Sequence, residues 1–159
     1  MSAGFSAFQT RTLSFGLVQL TEPLVYADPD YGVRIEVPAG FVCDGSSIPH
    51  PWGWLALPAG TTWPKIVRSG TCHDYLCRRD AFLFDYLDAQ TVRARPVKNK
   101  AEADRLYGLM LVRGDHQPAR AASVAGLAFK LAGRRYWQKL DIRANSDAWL
   151  AVNGHARSR

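Results

Sequence analysis

The segment "NKAEADRLYGLMLVRG", residues 99–114, restricts the fold more than any other, because it specifies a helix with both ends marked. Asn99 is a capping residue, Glu102 stands three positions on as in a capping box, and Gly114 stops the helix. Between them Ala103, Leu106, Tyr107, Met110 and Leu111 recur at helical spacing and make one apolar stripe. Such a stripe is stable only against another apolar surface. "YGVRIEV", residues 31–37, supplies one, since Val33, Ile35 and Val37 alternate with Arg34 and Glu36 at the period of a half-buried strand. "LSFGLVQLTEPLVY" precedes it, and the Asp-Pro-Asp-Tyr-Gly junction at 28–32 turns the chain between them.

A second helix is expected to begin near Pro64, a good first helical residue, and to carry Ile66, Val67, Gly70, Cys72, His73, Leu76 and Cys77 toward Arg79. A third runs from Pro118 to Ala132 and is closed by Gly133, and a short fourth passes through "SDAWLAV". The expected class is therefore α+β: a small N-terminal antiparallel β-sheet packed beside two main antiparallel helices, with additional C-terminal helices. The 159 residues suffice for one core and read as a single domain 1–159: β-rich over 1–40, a functional loop over 38–64, helical over 64–152, and a basic tail over 153–159. The loop is rich in Pro and Gly, has no lasting period, and is longer than a plain connection needs.

With 47% hydrophobic and 21% charged residues the chain is that of an ordinary globular protein. Neither a signal peptide nor a membrane span is expected, because the N-terminus has no positive start and the apolar run Val124 to Ala132 is broken by Gly126 and Lys130. The net charge of +6, much of it late in residues such as Arg134, Arg135 and Lys139, favours anionic partners without choosing among nucleic acid, phospholipid headgroups and acidic protein faces. No nucleic-acid motif surrounds it, so sequence-specific nucleic-acid binding is not expected. Cys43, Cys72 and Cys77 are an odd set without zinc-finger spacing, which points to buried free thiols in a reduced compartment.

Three polar elements stand out: "VCDGSSIP" at 42–49, "CHDYLC" at 72–77 and "EAD" at 102–104. His73 on one helix facing Asp104 on an antiparallel neighbour is a base with an orienter, since the carboxylate fixes the tautomer and stabilises the imidazolium. The same pair also reads as a buried hydrogen-bonded tie between helices, and both readings are open. Asp74 points about 100° away around its helix. There it can hold a metal with oxygen ligands from a Gly-containing loop, as Asp44-Gly45-Ser46-Ser47 is. His50, His116 and His155 lack partners at metal spacing, and Ser46 and Ser47 lack the glycines of a nucleophile elbow. Trp52 and Trp54 fit either a membrane interface or a loop folded back on the core.

With these residues in view, region 38–113 resembles an uncharacterised domain family of tailed phages and prophages, patterned G-F-V-x-D-G-x-S-I-P, H-D-x-L and E-A-D. "GFVCDGSSIP", "HDYLC" and "EADRLYGLML" are the matching stretches. The constellation also resembles, more distantly, the phospholipase A2 superfamily, whose small members place D-G-C-S before an H-D pair and an Asp on the next helix. Cys77 stands where both families usually have Tyr, and "RRDAFLFDYLDAQTVRARPV" is longer than the equivalent segment of small phospholipases. The phage resemblance implies a virion-associated, architectural tail or baseplate protein that carries the His-Asp site, made in the bacterial host cytoplasm, with other tail or baseplate proteins as partners. The phospholipase resemblance implies a calcium-dependent lipid esterase acting on the host envelope during entry or release: His73 takes a proton from water, Asp104 orients His73, and Asp74 with Asp44, Gly45 and Ser47 holds Ca2+.

Overall fold

Pairing along the chain places strands β1 (Gly4–Phe5), β4 (Leu24–Asp28), β5 (Val33–Val37), β7 (Phe82–Tyr86) and β8 (Val92–Pro96) side by side in one antiparallel sheet, in the order β1-β4-β5-β7-β8. A second antiparallel sheet joins β2 (Thr10–Ser14), β3 (Leu17–Leu20) and β6 (Val42–Cys43), in the order β2-β3-β6. The helices are α1 (Val67–Leu76) and α2 (Lys100–Leu109), the latter continued by a π-helical turn over Met110–Gly114. This is a computed structural model, and it describes residues 3–14, 17–43, 66–78, 81–120 and 122–123. The α+β class is as expected from the sequence.

The alternation in β4 and β5 decides which face of the large sheet is covered. Leu24, Tyr26, Val33, Ile35 and Val37 are buried and point to the helices, while the residues between them are only half-buried. Gly32, at φ +77°, closes the turn between these strands in a conformation that a side chain resists. Leu83 continues the inner row on β7, opposite Ile35. From the other layer come Cys72 and Leu76 of α1, Leu106 and Tyr107 of α2, and Met110 and Leu111 of the π turn, all at most 2% exposed. Burying side chains of this size contributes about 1.5–3 kcal/mol each, which is what holds the helices on the sheet.

The hairpin β7–β8 was not foreseen: it occupies the long segment between the two helices. Its turn is made by Asp88, whose Oδ1 accepts the N–H groups of Gln90 at 2.8 Å and Thr91 at 2.7 Å. Arg95 on β8 then reaches Glu102 in the first turn of α2 at 2.8 Å and Asp85 on β7 at 2.6 Å. Glu102 also accepts the backbone N–H of Lys98 at 2.7 Å, so the capping box closes one residue earlier than its usual form, while Asn99 caps Glu102 N–H at 3.0 Å as expected. The hairpin thereby fixes where α2 starts. Helix α1 begins at Val67, not Pro64, and Pro64 lies outside the described residues. Of the third helix, 119–120 and 122–123 are described and helical; its remainder and the fourth lie outside the described residues.

Candidate functional site

Two contacts set the sense in which α1 and α2 run. Near the start of α1, Ser69 donates its hydroxyl at 2.5 Å and its N–H at 3.2 Å to Asp115, which follows the π turn. One turn further along α1, His73 Nε2 lies 2.9 Å from Oδ1 of Asp104, near the start of α2. Advancing along one helix means retreating along the other, so the two run in opposite directions. Asp104 is two positions after Glu102, about 200° around the helix, so one faces α1 while the other faces the hairpin.

The His73–Asp104 pair is largely withdrawn from water, with side chains 7% and 13% exposed. Tyr107, one turn beyond Asp104, sets its ring against the imidazole with centroids 4.9 Å apart. Lys100, one turn before, holds Oδ2 of Asp104 through Nζ at 2.6 Å. Burial alone raises the Asp104 carboxyl, but the hydrogen bonds from His73 and Lys100 outweigh it, and the net direction is below the ordinary carboxylate value. An ionised Asp104 accepts the Nε2 proton, which leaves the lone pair of a neutral ring on Nδ1; this tautomer is assigned from the hydrogen bond.

Cys77, one turn after His73, brings its Sγ to 3.7 Å from the same Nε2. A Cys-His-Asp relay needs the thiol and the carboxylate on different ring nitrogens. Here both address Nε2. The thiol is moreover pushed up to about 12 by burial first, and then by Asp74 and Asp104, so it is not a thiolate nucleophile at neutral pH. Cys43 and Cys72 are likewise buried, and burial raises Cys72 well above the ordinary thiol value.

The expected contact between His73 and Asp104 is made. Asp74 is half-buried on the same helix as His73. Asp44, Gly45 and Ser47, the other expected calcium ligands, lie outside the described residues, as do His50, His155, Trp52 and Trp54. Among the described residues no group of three or more His, Cys, Asp or Glu is placed to hold a metal. The described chain does lead toward α1 immediately before Asp44: Cys43 Sγ lies 3.3 Å from Thr71 Oγ1. His116 is exposed. Lys100 was missed as part of the site, although its spacing of four residues before Asp104 is that of a helical ion pair.

A family model described as "Protein of unknown function (DUF1353)" matches residues 18–125. The chain belongs to this family. The DUF1353 match takes in all three motif segments, and with them both members of the His-Asp pair. No curated protein and no solved structure matches the chain. Among the described residues no helix is long and apolar enough to cross a membrane.

Proposed function

We propose that this chain is a particle-associated protein of tailed phages or prophages whose His73–Asp104 pair is a base-and-orienter site acting on lipid esters. The observation that carries the chemistry is the 2.9 Å contact between His73 Nε2 and Asp104 Oδ1. Work in a tail or baseplate, beside other particle proteins, rests on the resemblance of the three motifs to the phage domain family. Lipid of the host envelope as substrate, anionic phospholipid included, rests on the resemblance to the phospholipase A2 superfamily.

In the reaction, Asp104 accepts Nε2–H and Nδ1 takes a proton from water as the water oxygen attacks the ester carbonyl. The imidazolium, stabilised by Asp104, returns that proton to the departing alkoxide as the ester C–O bond breaks. Calcium held by Asp74 with Asp44, Gly45 and Ser47 belongs to the same proposal and would polarise the carbonyl.

A second reading has its own support. The pair is 7% and 13% exposed, and Asp104 also carries Lys100. Both features suit a tie that fastens α1 to α2 inside an architectural particle component. Purified protein incubated with phosphatidylglycerol vesicles, with calcium and with chelator, separates the two. The esterase reading expects fatty-acid release that drops by about 10²–10⁴-fold in His73→Gln without loss of fold. Release that is absent, or unchanged in His73→Gln, leaves the tie. Recovery of the chain in purified virions tests the particle assignment independently.

A further inference from the structure

The face of the large sheet turned away from the helices is apolar where a solvated face should be polar. On β7 the outward residues are Phe82, Phe84 and Tyr86, since Leu83 between them points to the core. Their cross-strand partners on β8 are Pro96, Ala94 and Val92. None of the six is buried, and Phe82 is 48% exposed. An antiparallel sheet with one wet face ordinarily alternates apolar inward and polar outward, and a contiguous apolar patch marks an interaction surface. We infer that this outer face is the contact between two copies of the chain, packed sheet on sheet about a two-fold axis that runs each strand antiparallel over its own copy.

Charge selects the occupant. Beside the apolar rows, β5 presents Arg34 and Glu36, paired with each other at 2.9 Å and both more than a third exposed. Arg34 is the cross-strand neighbour of Phe84, so this pair sits on the same outer face. Under the proposed two-fold, whose axis lies level with the Ile35–Leu83 pair, Arg34 of one copy lies over Glu36 of the other, and Phe82 of one copy lies over Phe84 of the other. The face is thus complementary to itself. An anionic membrane is a poorer occupant, because the positive charge of Arg34 is already matched by Glu36. Edge-to-edge pairing through β8 is disfavoured too, since Arg93, Arg95 and Pro96 are the residues that blunt an edge strand.

The size of the face sets the strength. Four strands of five residues cover about 17 by 19 Å in plan. This is below the roughly 800 Å² per partner of a standard interface, even allowing for rough side-chain surfaces. The expected dimer is weak, with a dissociation constant on the order of 10–100 µM. This inference does not depend on the esterase reading.

Sedimentation equilibrium of the full chain, up to about ten times that constant, tests it. The expected result is a monomer–dimer equilibrium that Phe84→Asp abolishes and that Arg34→Glu weakens about ten-fold. The double reversal Arg34→Glu with Glu36→Arg restores it, because a swapped pair is again self-complementary under the same two-fold. Circular dichroism confirms that each variant is folded, and since Arg34 and Glu36 are surface residues the charge variants test the inference even where Phe84→Asp does not fold. A chain that stays monomeric at the highest concentration, a dimer indifferent to Arg34→Glu, a double reversal that fails to restore it, or an outer face that binds phosphatidylglycerol vesicles instead, each overturns the inference.

Discussion

Asp104 divides its carboxylate between two partners: Oδ1 meets His73 Nε2 at 2.9 Å, and Oδ2 meets Lys100 Nζ at 2.6 Å. The division makes the group part of the fold whatever chemistry it serves, because both oxygens are committed in a mostly buried place.

Asp104→Asn keeps the volume and removes the charge, and its one amide oxygen can replace only one of the two carboxylate acceptors, so the amide nitrogen faces the donor of either His73 or Lys100. The expected loss is about 1–3 kcal/mol at neutral pH, read by denaturant unfolding. Its pH dependence follows from the depressed carboxyl. A group that is more acidic folded than unfolded contributes stability above the unfolded value, near 3.9 for Asp, and loses it as pH falls through the folded value. The gap between wild type and Asp104→Asn should therefore be constant above about pH 5 and close only in stronger acid. A gap that persists unchanged in acid would show that the charge on Asp104 is not what the fold uses.

Asp115 is the opposite case. Its side chain is fully buried, and burial raises the carboxyl above its ordinary value although Ser69 and Arg68 both pull it down. A raised acid binds a proton more tightly in the folded chain, so its contribution is complete below the unfolded value and is lost as pH rises through the folded one. Asp115 should then contribute a downward slope with pH above about 4 to the stability of the wild type. Asp115→Asn, which keeps a hydrogen-bonding group beside Ser69, should flatten that slope. Thermal unfolding of both chains across this range is the measurement, and equal slopes would remove Asp115 from the account.

The three thiols give a prediction about access. Cys43, Cys72 and Cys77 are at most 5% exposed, and Cys72 and Cys77 are held protonated by burial at neutral pH. A thiol reagent at pH 8 should label the folded chain slower than the denatured chain by on the order of 10³-fold or more. Rapid labelling of Cys77 in the folded protein would place it in a solvent channel leading to His73, and would reopen the question of what reaches the imidazole.

Much of this was legible in the sequence where the signal is local. The Asn99 cap, the apolar stripe of α2, and the Val33-Ile35-Val37 alternation each lie within a few turns or one strand, and each is as expected. The His73–Asp104 contact spans 31 positions, and it was legible only because two strongly marked helices had to share one core. The β7–β8 hairpin was illegible for a physical reason. Its outward positions are Phe82, Phe84 and Tyr86, so the alternation that identifies a strand is erased by the same apolar residues that make the outer face unusual. The second sheet was missed because β6 has only two residues, too few for a period. Arg113 reaching Asp28 across 85 positions has no sequence signal, since an arginine near a helix end ordinarily reads as a solvated residue.

Gly114 gives a final prediction, because it ends the second helical segment for a reason other than the one a sequence suggests. A Cβ built on it would run into the Phe5 ring and approach Tyr26 to 3.0 Å, and those two rings pack together with centroids 4.9 Å apart. The π turn over Met110–Gly114 thus brings backbone directly onto the aromatic pair that joins β1 to β4, where no side chain fits. Gly114→Ala should overpack this contact at a cost of about 1–3 kcal/mol. Gly108 provides the internal control: it lies inside α2, and among the described residues a Cβ there would meet only the Ala122 Cβ at 3.7 Å, an ordinary contact. Gly108→Ala should stabilise the chain by about 0.5–1 kcal/mol through helix propensity. Urea unfolding of the two single variants should therefore move in opposite directions from wild type. If both shift the same way, the contact between Gly114 and Phe5 does not govern how the π turn seats on the sheet.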